Sequence, residues 1–279
     1  MKIQKLLVGY FRLKIRLLSI VSSKKAGDEA FRIFCTPYTR MRYNPIYLKN
    51  AEPLIFYFEG MKCSGYHWNK GGNRKILIAH GFRSAAVNFE HFVPKLVNKG
   101  YEVIAFDAPA HGLSNGKMLT AVSYKNFIAA VNKKYGPFDS YLAHSFGGLA
   151  VSMILAEIQA NENIRTVLVA PAANAATLIE SFFKEMQITR KPVRDHFYAN
   201  IKRLSGHDID WFSLLRCAPY IKGPVLWIHD QHDKITPVDD AKNLQATSPS
   251  NFRFIFTEDL GHRRIYRDAG VLTAIINFL

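Results

Sequence analysis

Cysteine is scarce in this 279-residue chain: Cys35, Cys63 and Cys217 are odd in number and lie far apart. Without a CxxC spacing, neither a disulfide framework nor a thiolate zinc site is expected, and a reducing compartment such as the cytoplasm is the default. Long apolar runs are missing too. The nearest approach, residues 6–21, is cut by Arg12, Lys14 and Arg16. It therefore falls short of the ~20 apolar residues of a spanning helix and fails as the core of a secretory signal. Internal repeats and low-complexity tracts are absent as well. Acidic residues are few near the start, where residues 1–50 hold 11 Lys/Arg and 2 Asp/Glu. That segment carries +9 of the net +15, leaving +6 for the other 229 residues. The larger part of the chain is thus only mildly basic and has no stacking motif, so no nucleic-acid partner is expected.

What is present is enough apolar material, 48%, to bury a core in one large domain or two small ones. The first 21 residues, read at 100° per residue, form a lopsided helix. Ile3, Leu6, Tyr10, Leu13 and Leu17 share one broad face, and Lys5, Arg12 and Arg16 another. Two readings stay open: a helix packed on its own domain or a dimer mate, or residues 1–22 lying on anionic lipid as a peripheral membrane contact.

From about residue 53, short β-rich runs alternate with amphipathic stretches. Strands are expected at 54–58, 75–79, 102–106, 140–143, 166–170, 225–229 and 253–257, with helices near 87–98, 123–135, 147–160, 239–246 and 269–278. Continuous Val/Ile/Leu/aromatic runs mark strands buried on both faces, and the alternation means an α/β sandwich with a mostly parallel sheet. About 50 residues between Ala170 and Pro224 break the rhythm, with helical patterns at 178–188 and 193–204 and a turn at 211–215. The division expected is a basic extension over 1–52, a core over 53–171 and 223–279, and a helical cap insertion over 172–222.

The strongest local signal is Ala143-His144-Ser145-Phe146-Gly147-Gly148, which follows a strand and opens a helix. A nucleophile at such a turn needs small residues two positions either side, which Ala143 and Gly147 supply. Serine needs a base to take its proton. His262, between the last strand and the last helix, falls at the same sheet end as Ser145, because loops after parallel strands converge there. The imidazole needs a carboxylate, and Asp233, in the loop after 225–229, fits best; Asp230 is the rival that could instead cap the loop. His229, Asp230, His232 and Asp233 also resemble a metal cluster in composition, but no remote ligand accompanies them, and no metal is expected. His80-Gly81-Phe82 follows the strand at 75–79, and the amides of Phe82 and Phe146 are candidates for an oxyanion hole. Residues 107–114, with His111, read as a structural turn that shapes the pocket.

These elements resemble the α/β-hydrolase superfamily over residues 53–279, in its order of nucleophile, acid and histidine. Ala143 stands where the family usually has glycine, and so does Asp230. The resemblance implies the α/β-hydrolase fold with a helical cap and a serine hydrolase of the small bacterial carboxylesterase or thioesterase type. Ser145, His262 and Asp233 would be catalytic, and no cofactor is implied. The expected partner is a small-molecule acyl ester or thioester, carrier-linked in one reading of the cap's aromatic and cationic residues. His80, Gly81, His144, Phe182 and Trp211 are the candidate substrate-binding residues. An acyltransferase on the same residues and a non-catalytic binding protein of the same fold are the alternatives. Oligomeric state is not readable from the sequence.

Overall fold

The computed structural model describes residues 2–44, 48–158, 161–247 and 250–279, with side chains in the first helix from Leu6 onward. The expected helix end at Ala160 and the side chains of Ile3 and Lys5 lie outside the described residues. Eight strands are present among them: β1 (Glu52–Phe58), β2 (Met61–Trp68), β3 (Arg74–Ala79), β4 (Tyr101–Phe106), β5 (Ser140–His144), β6 (Arg165–Val169), β7 (Val225–Asp230) and β8 (Phe252–Thr257). The helices in chain order are α1 (Lys2–Val21), α2 (Ser23–Cys35), α3 (Val93–Asn98), α4 (Ala121–Tyr135), α5 (Phe146–Glu157), α6 (Ala175–Met186) and α7 (Lys191–Ser205). They continue with α8 (Leu214–Cys217), α9 (Asp239–Ala246), α10 (Gly261–Arg264) and α11 (Ala269–Phe278).

The chain divides into two compact units, one of Met1–Thr36 with Asn174–Phe212, the other of Pro37–Ala173 with Ser213–Leu279. The larger unit holds a single sheet in the order β1-β2-β4-β3-β5-β6-β7-β8. From β4 through β8 every pair is parallel, whereas β2 runs antiparallel to β1 and β4. Helices cover both faces. Ile76, Ile78, Val103 and Leu142 point to a core shared with Phe92, Leu96, Val271 and Ile275, from α3, its preceding turn and α11. On the other face the Phe106 ring meets Phe127 of α4, with centroids 5.9 Å apart. This is the α/β architecture expected from the alternation of strands and helices.

Strand β2 was not expected. Its sequence, MKCSGYHW, mixes Lys, Ser and Gly among apolar residues and has no clean period of two. The signal was in the turn before it: Glu59 and Gly60 both have positive φ (47° and 74°), the two-residue hairpin geometry that matches strand twist. Gly65 on β2 is required because a Cβ there would overlap the Phe106 ring of the neighbouring strand.

In the smaller unit, α1 and α2 pack with α6 and α7, which come from the inserted segment. Helix α2 starts at Ser22, whose hydroxyl accepts the Lys25 amide, and α6 starts at Asn174, whose side chain accepts the Ala176 amide. Gly27 lets α2 approach α7 closely; a Cβ there would sit 2.6 Å from that of His196. Around this contact the rings of Phe31, Phe34, Phe182, Phe183 and Phe197 form a cluster of mostly edge-to-face pairs. Helix α1 meets the unit through Phe11 and Ile15, 6% and 4% exposed, and not through the broad face of Leu6, Tyr10, Leu13 and Leu17, which is 54–72% exposed.

Residues 107–114 form a turn held by one buried carboxylate. Asp107 accepts the amides of Ala86 and Leu113 and the hydroxyl of Tyr43, each at 2.8 Å. Burial pushes its pKa up, against these donors. Gly112 has φ of 47°, and a Cβ there would overlap the carboxylate. Arg40 closes the turn from outside by donating to the Gly112 and Ser114 carbonyls. Asp107→Ala would strand one buried and two part-buried donors, so it should destabilise the fold by about 2 kcal/mol or more, with Asp107→Asn milder because an acceptor oxygen remains. Urea midpoints of the two variants check this; an unchanged midpoint for the alanine variant would show that Arg40 and the backbone hold the turn alone.

Candidate active site

Strand β5 ends at His144 and α5 begins at Phe146, which leaves Ser145 to make the whole turn at φ 53° and ψ −121°. A non-glycine residue in that region is strained and persists only where its surroundings over-determine it. Here they do. The Ser145 amide donates to Val169 O at 3.1 Å, and its carbonyl accepts the amides of Gly148 and Ala172. Gly147 packs so tightly that a Cβ would lie 2.5 Å from Ala79 O and 2.7 Å from His80 O. Ala143, wholly buried, is small enough for the position on the other side of the turn.

Three loops bring their residues to this turn. His262, on the short α10 after β8, has Nε2 2.9 Å from Ser145 Oγ and Nδ1 2.7 Å from Asp233 Oδ2. A carboxylate only accepts, so Nδ1 carries the proton and Nε2 presents its lone pair to the serine hydroxyl. Asp233 also receives the amides of Ile235 and Thr236 on Oδ1, and the Thr236 hydroxyl on Oδ2 at 2.9 Å. The Asp233 side chain is fully buried. Burial opposes its ionisation, but the bond and charge of His262 and the two amides outweigh burial and hold its pKa below the ordinary carboxylate value.

Asp230 does not reach the histidine. It accepts the Leu260 amide, the Thr257 hydroxyl and the His232 amide, and so ties the β7 and β8 loops together. Behind Asp233 stands an arrangement that the sequence did not reveal. Trp227 Nε1 donates to His229 Nδ1 at 3.0 Å, and His229 Nε2 then donates to Thr236 O at 2.8 Å. Both rings are buried on β7, so Thr236 is anchored from the core. The only sequence hint was a Thr-Pro pair three residues past Asp233.

Phe82 and Phe146 come together, their rings edge to face at 5.9 Å. Phe82 is the second residue of a turn closed by Ser84 N–H to Gly81 O, and Phe146 opens α5. Neither turn nor helix ladder uses their amides. His80 lies inside the core: its Nδ1 donates to Gly81 O and its Nε2 accepts the Ala108 amide, so the ring links the β3 and β4 loops. Gly81 is confined against the nucleophile turn, where a Cβ would sit 2.9 Å from both His144 Nδ1 and Ser145 Cβ. His144 donates from Nε2 to the His262 carbonyl at 3.0 Å and lies against the His262 ring, with its buried Nδ1 unpartnered among the described residues. It thereby holds the backbone of His262. Phe182 and Trp211 belong to the smaller unit, Phe182 in its aromatic cluster and Trp211 stacked on His207 at 4.1 Å.

The fold and this geometry define an α/β-hydrolase-fold hydrolase. The chain belongs to the family described as serine aminopeptidase, S33 (Hydrolase_4), whose model matches residues 72–216. It is similar to the uncharacterized hydrolase YugF of Bacillus subtilis, 30% identical over 76 residues, which is 27% of this chain and 28% of that relative's length. Among solved structures, the esterase Pf2001 of Pyrococcus furiosus superposes with a TM-score of 0.64 at 21% identity, covering 88% of this chain and 95% of that one. The thioesterase domain from the curacin biosynthetic pathway does so with a TM-score of 0.59 at 15% identity, over 81% of this chain and 99% of that one. At those identities the two structures show the fold.

Burial leaves several histidines neutral. It pushes His144 and His111 down to about 3 and lowers His80 and His229 as well, with the cations of Arg40 and Arg83 adding to the effect at His111. Because the unfolded chain takes up these protons near pH 6.5 and the folded one does not, their contribution is complete above pH 6.5 and falls as pH drops towards 3. The slope is up to about 1.4 kcal/mol per pH unit for each histidine. Urea midpoints should therefore fall between pH 7 and pH 5, and less so in His111→Gln. A midpoint flat across that interval would mean these rings are not buried neutral.

Proposed function

We propose that this chain is a serine hydrolase that cleaves a carboxylic ester or thioester through Ser145, His262 and Asp233, by way of an acyl-enzyme. The observation that carries this reading is the unbroken relay from Ser145 Oγ through the imidazole to a buried carboxylate, at 2.9 and 2.7 Å. Attack of Ser145 Oγ on the substrate carbonyl transfers the hydroxyl proton to His262 Nε2. Asp233, kept ionised by its donors, stabilises the imidazolium while Thr236 holds the carboxylate in line. The amides of Phe82 and Phe146 receive the developing oxyanion. Collapse of the tetrahedral intermediate expels the alcohol or thiol, which takes the proton from His262. Water then repeats the sequence on the acyl-enzyme and regenerates Ser145. The names of the two structural neighbours, an esterase and a thioesterase, agree with such a substrate; the family's name raises an amide substrate as the competitor.

Rates on a panel of nitrophenyl esters, acyl thioesters and aminoacyl anilides test the substrate class, and preference for the anilides would replace the ester reading by a peptidase one. A fluorophosphonate probe should label the peptide that contains Ser145. Ser145→Ala and Asp233→Asn should each lower kcat by about 10⁴-fold or more, while Asp230→Asn keeps most of the activity. Product analysis with added alcohols or amines separates hydrolysis from acyl transfer. Full activity of Ser145→Ala would sink the proposal.

A further inference from the structure

Helix α1 carries two apolar stripes, only one of which is used within the chain. The inner one packs through Phe11 and Ile15. Two polar contacts reinforce it: Arg12 Nε donates to Glu185 O at 2.7 Å, and Lys14 pairs with Glu29 at 2.9 Å. Arg190, the residue before α7, also donates to the Ser19 carbonyl. The outer stripe is Leu6 (72% exposed), Tyr10 (57%), Leu13 (56%), Leu17 (54%), Ile20 (75%) and Val21 (78%). At 100° per residue these six side chains fall within an arc of about 100°, and they run about 22 Å along the axis. Six large apolar side chains in one unbroken row exceed the scattered exposure that ordinary surfaces show.

Charge indicates what covers the row. Residues 1–27 contain seven Lys/Arg and no Asp or Glu; the first acid is Asp28. By angle, Arg16 borders one edge of the row, and Lys25 follows just beyond the helix, while Arg12, Lys14 and Lys24 are engaged by the Glu185 carbonyl, Glu29 and Asp28. A second copy of so cationic a surface would meet like charge. An anionic lipid surface meets both features at once, since apolar side chains enter the acyl boundary while long cationic ones reach headgroup phosphates. Spanning is not the alternative: among the described residues no helix is long and apolar enough to cross a membrane.

We propose that the outer stripe of α1 is a docking surface for anionic membranes, with the helix lying in the plane of the interface. Binding of the full chain to phosphatidylcholine vesicles with and without phosphatidylglycerol, followed by co-sedimentation, tests it. The expected result is binding that requires phosphatidylglycerol and weakens with salt, because screening shortens the reach of the lysines and arginines. Leu13→Glu/Leu17→Glu should lower the partition coefficient at least about 10-fold with an unchanged melting temperature, since both side chains are exposed. Leu6→Gln/Tyr10→Gln, at the other end of the row, should do the same and serves if the first pair disturbs folding. Absent binding, or binding that both double variants retain, would overturn the proposal. So would a dimer, seen by light scattering, that either pair converts to a monomer, because the row would then belong to a second copy.

Discussion

One constraint organises the larger unit: the chain must reverse at Ser145 in a backbone conformation that a serine does not favour. That reversal is tolerable because the sheet grips it from both sides. Val169 on β6 accepts the Ser145 amide, and Gly147 leaves no room between α5 and the end of β3. A parallel sheet supplies this grip at one end only, where the strand C-termini meet. Phe82, Asp107, Asp233 and His262 all enter from loops at that end, so the packing that strains the turn also sets the positions of the neighbouring residues.

Around the turn, polar groups are organised in closed sets that rarely overlap. Asp107 satisfies one loop, Asp230 ties two others together, and Asp233 faces His262 with Thr236 at its side. The histidines divide in the same way. His80, His144 and His229 are wired to backbone groups and kept neutral by burial, whereas His262 faces the serine hydroxyl. A buried polar group without a partner costs more than a made bond contributes, which is why these sets are nearly complete.

Much of this arrangement is legible in the order of the amino acids. The alternation of apolar strands with amphipathic helices specified the sheet, and small residues around Ser145 marked its turn. Position after β7 and β8 singled out Asp233 and His262, the two residues that lie in hydrogen-bond reach of one another. Less visible was β2, whose composition is poor in strand formers and whose place depends on pairing with β1 and β4. The Trp227–His229–Thr236 relay was hidden as well, since by composition His229 grouped with Asp230, His232 and Asp233 and not with Trp227. His80 looked like a pocket residue and lies inside, with both nitrogens engaged.

The sequence by itself determined what depends on neighbours along the chain: most of the strands and helices, β2 excepted, where the turn at Ser145 falls, and that the first 27 residues carry positive charge alone. Tertiary structure decided what depends on groups far apart. It set Asp233 and not Asp230 against a histidine 29 positions on, and grouped α1 and α2 with helices from the insertion. It also turned Phe11 and Ile15 inward, leaving the row from Leu6 to Val21 outside. Periodicity shows that a helix has an apolar face, but with two such faces only the shape of the surface it packs on chooses between them.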